Sequence, residues 1–423
     1  MLKRNITPFL LEALTDTPVV MLTGARQTGK STLVRWLNSE GHPARYLTFD
    51  DAVVLSAARH DPAGFLSNLD GPVVLDEIQR VPDLFLAIKA EVDRHRQPGR
   101  FLLTGSANVL LLPSLSESLV GRMEILTLWP FSQGEKEGLS EGFVDGVFKE
   151  SLPALTGKPT SRRDLLAKKI LLGGFPEILS RPLESRRRAW FRSYISTILQ
   201  REVRDLAQIE GLTVLPRLLS LLAVRSTSLL NFSELSRSTA IPQTTLKRYM
   251  SLLEATFLIQ TLSPWSGNLS KRLVKAPKIF LTDTGLMAHL LGLRADQGVA
   301  EDSYSGTLLE NFVIMELRKQ ISWSQERPQL YYFRTQTGQE VDIILEDAQG
   351  RIVAIEVKAS TTVSARDFNS IQYLSEQVGE KFYRGLILYT GQESIPFGHR
   401  LQALPVDALW RLPDHGIDSD HAG

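Results

Sequence analysis

The chain has 423 residues, a formal net charge of +1 and 43% hydrophobic residues. That length exceeds what one hydrophobic core ordinarily serves, and the composition is that of a globular protein. The absence of cysteine excludes disulfides, thiolate metal sites and cysteine nucleophiles. Because no apolar run approaches the roughly 20 residues of a membrane span and the start lacks a signal peptide, we expect a cytoplasmic protein without a membrane partner.

Charge is distributed unevenly along the chain. Residues 1–159 contain 16 Lys and Arg against 19 Asp and Glu, a balance of −3. Residues 160–280 contain 20 against 8, a balance of +12, and residues 281–423 contain 12 against 20, a balance of −8. The pattern predicts three domains with a basic middle that suits a polyanion. The predicted boundaries are 1–158, 159–294 and 295–412, followed by a disordered tail at 413–423.

The first segment alternates short apolar runs with helical or turn patterns. This alternation predicts a parallel α/β sheet, with strands at 19–23, 44–49, 73–75 and 101–104. The stretch 133–159 is rich in Gly, Glu, Lys and Ser, and we expect it to be a linker or lid.

The first predicted strand leads directly into a phosphate-binding motif. The residues are Gly24, Ala25, Arg26, Gln27, Thr28, Gly29, Lys30 and Ser31, with Thr32 continuing into a helix. They fit G-x-x-x-x-G-K-[ST], in which glycines let backbone N–H groups face phosphates, the lysine reaches the outer phosphates and the serine ligates Mg²⁺. The motif predicts binding of ATP and magnesium.

Two carboxylates follow the third predicted strand. At the carboxyl edge of a parallel sheet Asp76 would bind magnesium and Glu77 would orient or deprotonate the attacking water. The alternative is a pair of surface acids capping the next turn. The fourth strand ends in small polar residues, and Thr104, Ser106 or Asn108 is equally consistent with a γ-phosphate sensor or a plain turn.

These motifs resemble those of the AAA-type ATPases. The resemblance implies a nucleotide site completed by an arginine from a neighbouring subunit, and Arg122 is the candidate for that catalytic finger. It also implies a homo-oligomer, for which a hexamer is our guess. The alternative for Arg122 is a surface arginine paired with Glu124.

The middle segment is mostly helical and basic. A short helix and turn near residues 231–242, a helix at 243–255 and a basic hairpin resemble a winged helix-turn-helix. The alternative use of that fold is packing or protein contact. The predicted DNA-binding residues are Arg186, Arg187, Arg188, Lys247, Arg248, Lys271, Arg272 and Lys275.

The acidic third segment returns to strands after a helix at 307–320. Glu310 in that helix, Asp342 on one strand and Glu356 with Lys358 on the next predict a catalytic constellation for metal-assisted hydrolysis. The pattern resembles the PD-(D/E)xK nucleases, with Asp342 and Glu356 as ligands of Mg²⁺ or Mn²⁺. The alternatives are surface ion pairs on an unrelated sheet, or the same fold used for binding or assembly.

Together the features resemble a prokaryotic AAA-type ATPase family with a C-terminal PD-(D/E)xK nuclease-like domain. The fold class expected is an α/β P-loop domain, a helical and winged-helix middle and an α/β nuclease-like end. The main functional hypothesis is ATP-driven remodelling of DNA, forked or branched DNA included. A regulatory switch gated by ATP and a nuclease effector gated by ATP remain open alternatives.

Overall fold

A computed structural model of the chain describes residues 2–106, 119–157, 163–203, 212–267, 276–294 and 305–413. Four predicted site residues lie outside these ranges, namely Asn108, Lys271, Arg272 and Lys275, as does the predicted tail except for its first residue, Pro413. In the ranges that are described, no helix is both long and apolar enough to cross a membrane.

The N-terminal part is built on a parallel sheet with strand order β2-β3-β4-β1-β5. Because these strands run the same way, their carboxyl ends meet at one edge of the sheet. The predicted strands are confirmed, and β5 was missed. The strands are β1 (Val19–Thr23), β2 (Arg45–Thr48), β3 (Val73–Asp76), β4 (Phe101–Gly105) and β5 (Met123–Thr127).

Helices cover both faces of this sheet. Alternate residues of β1 enter different cores, with Val19 and Met21 on one side and Val20 and Leu22 on the other. Burial on both faces explains the continuous apolar runs of the strands. The helices are α1 (Thr7–Asp16), α2 (Lys30–Glu40), α3 (Ala52–His60), α4 (Pro62–Ser67) and α5 (Leu84–Arg94), with a 3₁₀ turn at Ile78–Arg80.

The expectation of a linker or lid at 133–159 is wrong for the residues described there. This stretch forms α6 (Gln133–Glu137) and α7 (Phe143–Gly146), and Phe143 is fully buried. Gly142 N–H donates to the Leu412 carbonyl at 2.9 Å, so the stretch pairs with the end of the C-terminal part. Composition misled the prediction because two glutamates of this stretch, Glu135 and Glu141, are buried among hydrogen-bond donors.

The middle part is helical with a two-stranded antiparallel hairpin. After residue 231 the chain forms two helices and then a pair of antiparallel strands, in the order in which the sequence predicts a helix, a second helix and a hairpin. The elements are α8 (Arg163–Leu172), α9 (Pro176–Leu179), α10 (Glu184–Thr197) with a π-helical turn at Ile198–Glu202, a 3₁₀ turn at Leu212–Val214, α11 (Leu215–Val224), α12 (Phe232–Thr239), α13 (Gln243–Ala255), β6 (Ile259–Leu262), β7 (Lys278–Leu281) and α14 (Thr284–Leu291).

The C-terminal part packs a long helix against a mixed sheet of order β12-β13-β11-β10-β9-β8. The elements are α15 (Ser305–Ile321), β8 (Gln329–Arg334), β9 (Glu340–Glu346), β10 (Ile352–Lys358), a 3₁₀ turn at Ala365–Phe368, α16 (Asn369–Val378), a 3₁₀ turn at Gly379–Lys381, β11 (Phe382–Tyr389), β12 (Ile395–Pro396), β13 (Leu401–Pro405) and α17 (Ala408–Arg411).

One apolar core runs through the middle and C-terminal parts. It contains Leu253 and Phe280 of the middle part together with Phe312 of α15 and Trp410 of α17. Phe143 of the N-terminal part belongs to it as well. This core therefore contains residues from before and after positions 158 and 294, and the three predicted domains stay a prediction.

Candidate functional site

The phosphate-binding loop follows β1 at the carboxyl edge of the N-terminal sheet. Gly24 has a φ of +148°, and a Cβ atom there would lie 2.2 Å from the Leu128 carbonyl oxygen, so this position requires glycine. Gly29 has a φ of +97° and immediately precedes α2, which begins at Lys30. The loop thus leads into a helix amino terminus, where free N–H groups and the helix dipole favour a phosphate.

Lys30 and Ser31 form the start of α2. The Lys30 side chain is buried, and its ammonium donates to the carbonyl oxygens of Gly24 and Ala25 at 2.8 and 2.9 Å. Its charge is therefore held inside the curve of the loop, where the outer phosphates of a nucleotide would lie.

Asp76, the last residue of β3, is buried among hydroxyl donors. Its Oδ1 accepts from Ser31 Oγ at 3.0 Å and from Thr104 Oγ1, and its Oδ2 accepts from Tyr46 Oη at 2.6 Å. Hydroxyl and carboxylate oxygens are ligands of the kind that Mg²⁺ takes in proteins. The side chains of Ser31 and Asp76 therefore fit a magnesium ion beside the loop, as the sequence predicts.

Glu77 has a φ of +62°, a left-handed conformation that is strained for a residue other than glycine. Its N–H donates to Thr104 Oγ1 at 3.1 Å, and Gln79 Nε2 donates to its carboxylate. Burial raises the pKa of Glu77, while the Lys30 ammonium and the Gln79 hydrogen bond oppose the rise. The carboxylate is thus fixed near Lys30 and made more basic, as a residue that accepts a proton from water requires.

The polar residues within and just after the end of β4 join this network. Thr104 contacts both acids, and Ser106 Oγ accepts a hydrogen bond from Gln79 Nε2 at 2.9 Å. They do more than form a turn, and each remains a candidate sensor. Tyr46 and Gln79 were not predicted, because neither belongs to a sequence motif. Thr48 of β2 pairs with Asp76 of the neighbouring strand β3. Tyr46, two residues earlier on β2, therefore lies beside the site.

Tyr46→Phe is expected to weaken magnesium-dependent turnover while leaving the fold intact. It removes one donor to the Asp76 carboxylate, a charge-assisted interaction worth about 1.5–3 kcal/mol, or about tenfold or more. The measurement is the Mg²⁺ concentration that gives half-maximal ATP hydrolysis, with Tyr373→Phe in α16 as the matched control. An unchanged requirement for Mg²⁺ would assign the Tyr46 hydroxyl to packing alone.

Arg122 lies at the amino ends of the strands, whereas the loop follows the carboxyl end of β1. Arg122 immediately precedes β5, and the first residue of β5 pairs with Val19, the first residue of β1. Val19 lies about 13 Å along β1 from the carboxyl end of that strand. The Arg122 guanidinium pairs with Asp93 of α5 at 2.5 Å, not with Glu124, which faces Arg327 at 3.7 Å. Arg122 is therefore placed away from the nucleotide of its own chain, and the role of a finger in a neighbouring subunit stays a prediction.

Two contacts, one buried and one partly buried, connect the phosphate loop with other parts of the chain. Arg4 donates to the Thr28 carbonyl at 3.5 Å and forms an ion pair with Glu135 of α6 at 3.2 Å. Tyr194 of α10 donates to the Arg26 carbonyl at 3.3 Å. The loop is therefore in contact with the basic middle part.

The predicted DNA-binding residues that the structure describes lie on two helices. Lys247 and Arg248 are exposed on α13, while Leu246, Met250 and Leu253 are buried on its other side, as expected. The remaining described members are on α10, with Arg186 exposed and its two neighbours half-buried, namely Arg187 and Arg188.

The four predicted C-terminal residues form one cluster, which two unpredicted residues complete. The additions are Lys278 of β7 and Glu340 of β9. The Lys278 ammonium lies 2.9 Å from Glu310, 2.6 Å from Glu340 and 4.0 Å from Asp342. Burial raises the pKa of Glu310 to about 7, with the Asp342 charge adding to the effect.

Glu356 and Lys358 complete the cluster from β10. The Glu356 carboxylate lies 3.5 Å from the Lys358 ammonium. Burial, followed by the charge of Asp342, raises the pKa of Glu356 to about 9, while the Lys358 ammonium opposes the rise. Asp342 accepts a hydrogen bond from Val357 N–H at 2.9 Å.

The predicted metal site at Asp342 and Glu356 stays a prediction. The cation that lies among the carboxylates of this cluster is the Lys278 ammonium. Across the described ranges, no group of three acidic or histidine side chains is arranged to hold a metal ion. We therefore derive no hydrolytic step from the C-terminal cluster.

Comparison with known proteins supports the N-terminal assignment. Family models match an AAA domain at residues 16–136, a domain of unknown function (DUF8612) at 163–297 and another (DUF4143) at 305–409. The uncharacterised proteins Rv2008c of Mycobacterium tuberculosis and Mb2031c of Mycobacterium bovis are each 33% identical over 408 residues, which are 96% of this chain and 84% of each relative. The chain belongs to the family of these mycobacterial proteins. This family member is an ATPase of the AAA and P-loop type.

Among solved structures, this chain was matched to the Walker-type ATPase of Pyrococcus abyssi. It is 16% identical, with a TM-score of 0.44, and the match covers 69% of this chain and 96% of that one. The C-terminal match is to a domain without a described activity, so the nuclease-like fold remains a prediction.

Proposed function

We propose that the protein hydrolyses ATP at the carboxyl edge of its N-terminal sheet and uses the turnover to change how its basic middle part binds DNA. The observation that carries the proposal is the direct contact of α10 with the phosphate loop. Tyr194 of α10 touches the Arg26 carbonyl, and the basic residues begin less than three turns earlier on the same helix. Arg187 and Tyr194, seven residues apart, share one side of that helix.

Hydrolysis would use the residues already in contact. Lys30 would donate to the outer phosphate oxygens, and Ser31 and Asp76 would hold magnesium, which neutralises charge on the transferring phosphoryl group. Glu77 would accept the proton of the attacking water, while Thr104 keeps the two acids in place. A change in the loop on loss of the γ-phosphate would reach α10 through Tyr194.

The DNA step is tested by binding and ATPase measurements on single-stranded, duplex, forked and four-way DNA. Lys247→Glu is expected to weaken binding of each shape and to reduce the salt dependence of affinity, because it removes an exposed cation of α13. Lys381→Glu makes the same charge change on the exposed surface of the C-terminal part and serves as the control. DNA that neither binds nor alters the ATPase rate would rule out this function.

Subunit sharing is tested with Arg122→Ala. The pure variant is expected to hydrolyse ATP more slowly, because an arginine supplied in trans stabilises the transferring phosphoryl group. Mixing it with Lys30→Ala subunits is expected to restore part of the rate, since some interfaces then combine an intact phosphate loop with an intact arginine. Failure of mixing to restore activity would leave Arg122 as a partner of Asp93 alone.

A regulatory switch is the second candidate function. It is supported by the same contact of Tyr194 with the phosphate loop, since that contact would report the bound nucleotide whether or not DNA is present. Sedimentation of the wild type and of Lys30→Ala, each with ATP and with ADP, measures the assembly state and distinguishes the switch from the DNA-binding function. A change of assembly state with ATP alone, without any DNA binding, would favour the switch.

A further inference from the structure

Lys278 begins β7 in the middle part, yet its side chain ends among acids of the C-terminal part. Its side chain is 3% exposed, and its ammonium is within 2.9 Å of Glu310 and 2.6 Å of Glu340. Asp342 lies at 4.0 Å. An ion pair on the surface keeps much of its hydration. The buried Lys278 ammonium is instead surrounded by carboxylates of α15 and β9 in place of water. That is the environment of a bound cation.

The hairpin that carries Lys278 is fixed to the C-terminal part by separate contacts. Tyr332 N–H of β8 donates to the Ser263 carbonyl, which follows β6, at 3.1 Å. Arg318 of α15 donates to the Thr261 carbonyl of β6 at 2.9 Å. These contacts hold the hairpin against the C-terminal part. The position of the Lys278 ammonium therefore does not depend on a side-chain rotamer alone.

The other charged groups of the cluster are paired as well. Lys358 lies 3.5 Å from Glu356, and Arg334 lies 3.0 Å from Glu340. The Asp342 carboxylate accepts the Val357 N–H. A divalent ion entering here would have to displace these donors from the carboxylates that it needs.

An ammonium and a divalent ion cannot occupy the middle of the cluster together. A magnesium-type ion binds oxygen ligands at about 2.0–2.1 Å, so an ion shared by Glu310 and Asp342 would lie within a few ångströms of Lys278 Nζ. In a buried place that repulsion is weakly screened. The two cations therefore compete for the same oxygens.

We infer that Lys278 is the resident cation of the C-terminal carboxylate cluster and that the cluster binds a divalent metal only when this lysine is removed. The carboxylates of Glu310, Glu340 and Asp342 then form an internal ammonium site in this chain. The inference is independent of ATP hydrolysis and of DNA binding, so its test can fail without affecting the proposed function.

The test is titration of Mn²⁺ into nucleotide-free protein, followed by the electron paramagnetic resonance signal of free Mn²⁺. All proteins carry Asp76→Asn so that the nucleotide site contributes no binding. Lys278→Met, which keeps an unbranched side chain one heavy atom shorter and removes its charge, is expected to bind Mn²⁺ at least about tenfold more tightly than the Lys278 protein. Adding Asp342→Asn to Lys278→Met is expected to abolish that gain.

The matched control is Lys278→Arg, which keeps a cation and is expected to exclude Mn²⁺ as the lysine does. Lys278→Gln replaces Lys278→Met if thermal unfolding shows that the methionine variant does not fold. Tight Mn²⁺ binding by the Lys278 protein that Asp342→Asn removes would overturn the inference. Equal, weak binding with and without the lysine would overturn it too, since Lys278 would then not be what excludes the metal.

Discussion

ATP hydrolysis by Lys30→Ala is expected to fall by a factor of about 10³ or more in kcat/KM. Loss of a single positioned donor to a developing oxyanion lowers kcat by about 10²–10³, and the lost phosphate contact raises KM in addition. The ammonium of Lys30 is buried inside the loop, with Gly24 and Ala25 as acceptors, so a water molecule would be a poor substitute for its charge. Phosphate release and nucleotide binding are measured side by side.

Lys3→Ala removes an exposed lysine from the same part of the chain and is the control for Lys30→Ala. Because Lys30 is buried, thermal unfolding of the variant shows whether the loop still folds. A folded Lys30→Ala protein that hydrolyses ATP at the wild-type rate would place the chemistry somewhere other than the loop.

Glu77→Gln is expected to separate binding of ATP from its hydrolysis. General base catalysis contributes about 10²–10⁴ in rate, so kcat should fall by that factor. The affinity for ATP should change little, because the amide keeps the size of the side chain and Lys30 and the loop are untouched. The strained backbone of Glu77 is also retained, since only the side chain changes.

Gln79→Ala is the informative companion of Glu77→Gln. It removes the amide that donates to the Glu77 carboxylate and to Ser106, but it leaves the base itself in place. A smaller loss in kcat is therefore expected. Single-turnover measurements separate the chemical step from product release, and a Glu77→Gln protein that turns over normally would show that another group activates the water.

The nucleotide site was predictable because its parts are local in the sequence. The residues from Gly24 to Ser31 and the pair of Asp76 with Glu77 follow apolar strands, and parallel strands bring their carboxyl ends together. Tyr46 was missed because its contact with Asp76 depends on which strands are neighbours. Strand order is a property of the assembled sheet and leaves no local pattern.

The C-terminal cluster was predictable in its membership but not in its chemistry. Glu310, Asp342, Glu356 and Lys358 do lie together, because strand alternation and helix position are periodic. The decisive residue, Lys278, is 32 positions before Glu310 and comes from another part of the fold. No local pattern in the sequence indicates that the Lys278 ammonium lies among these acids.

The stretch from Gln133 to Thr156 shows the same limit in another way. Glu135 looks like a solvent-exposed acid in the sequence, yet it is buried and held by Arg4. Burial also raises the pKa of Glu141 well above its usual range, with the nearby Glu316 adding to the rise. Charge alone suggested solvent, whereas these acids have partners more than a hundred residues away.

The pairing of Gly142 and Thr156 with the end of α17 has a consequence for synthesis on the ribosome. Thr156 N–H donates to the Arg411 carbonyl at 2.9 Å, and Arg411 donates back across 255 positions of sequence. The N-terminal part cannot complete its packing until those last residues have emerged. At about 5–20 residues per second that wait is on the order of tens of seconds, during which the apolar surface around Phe143 is open to chaperones or to aggregation.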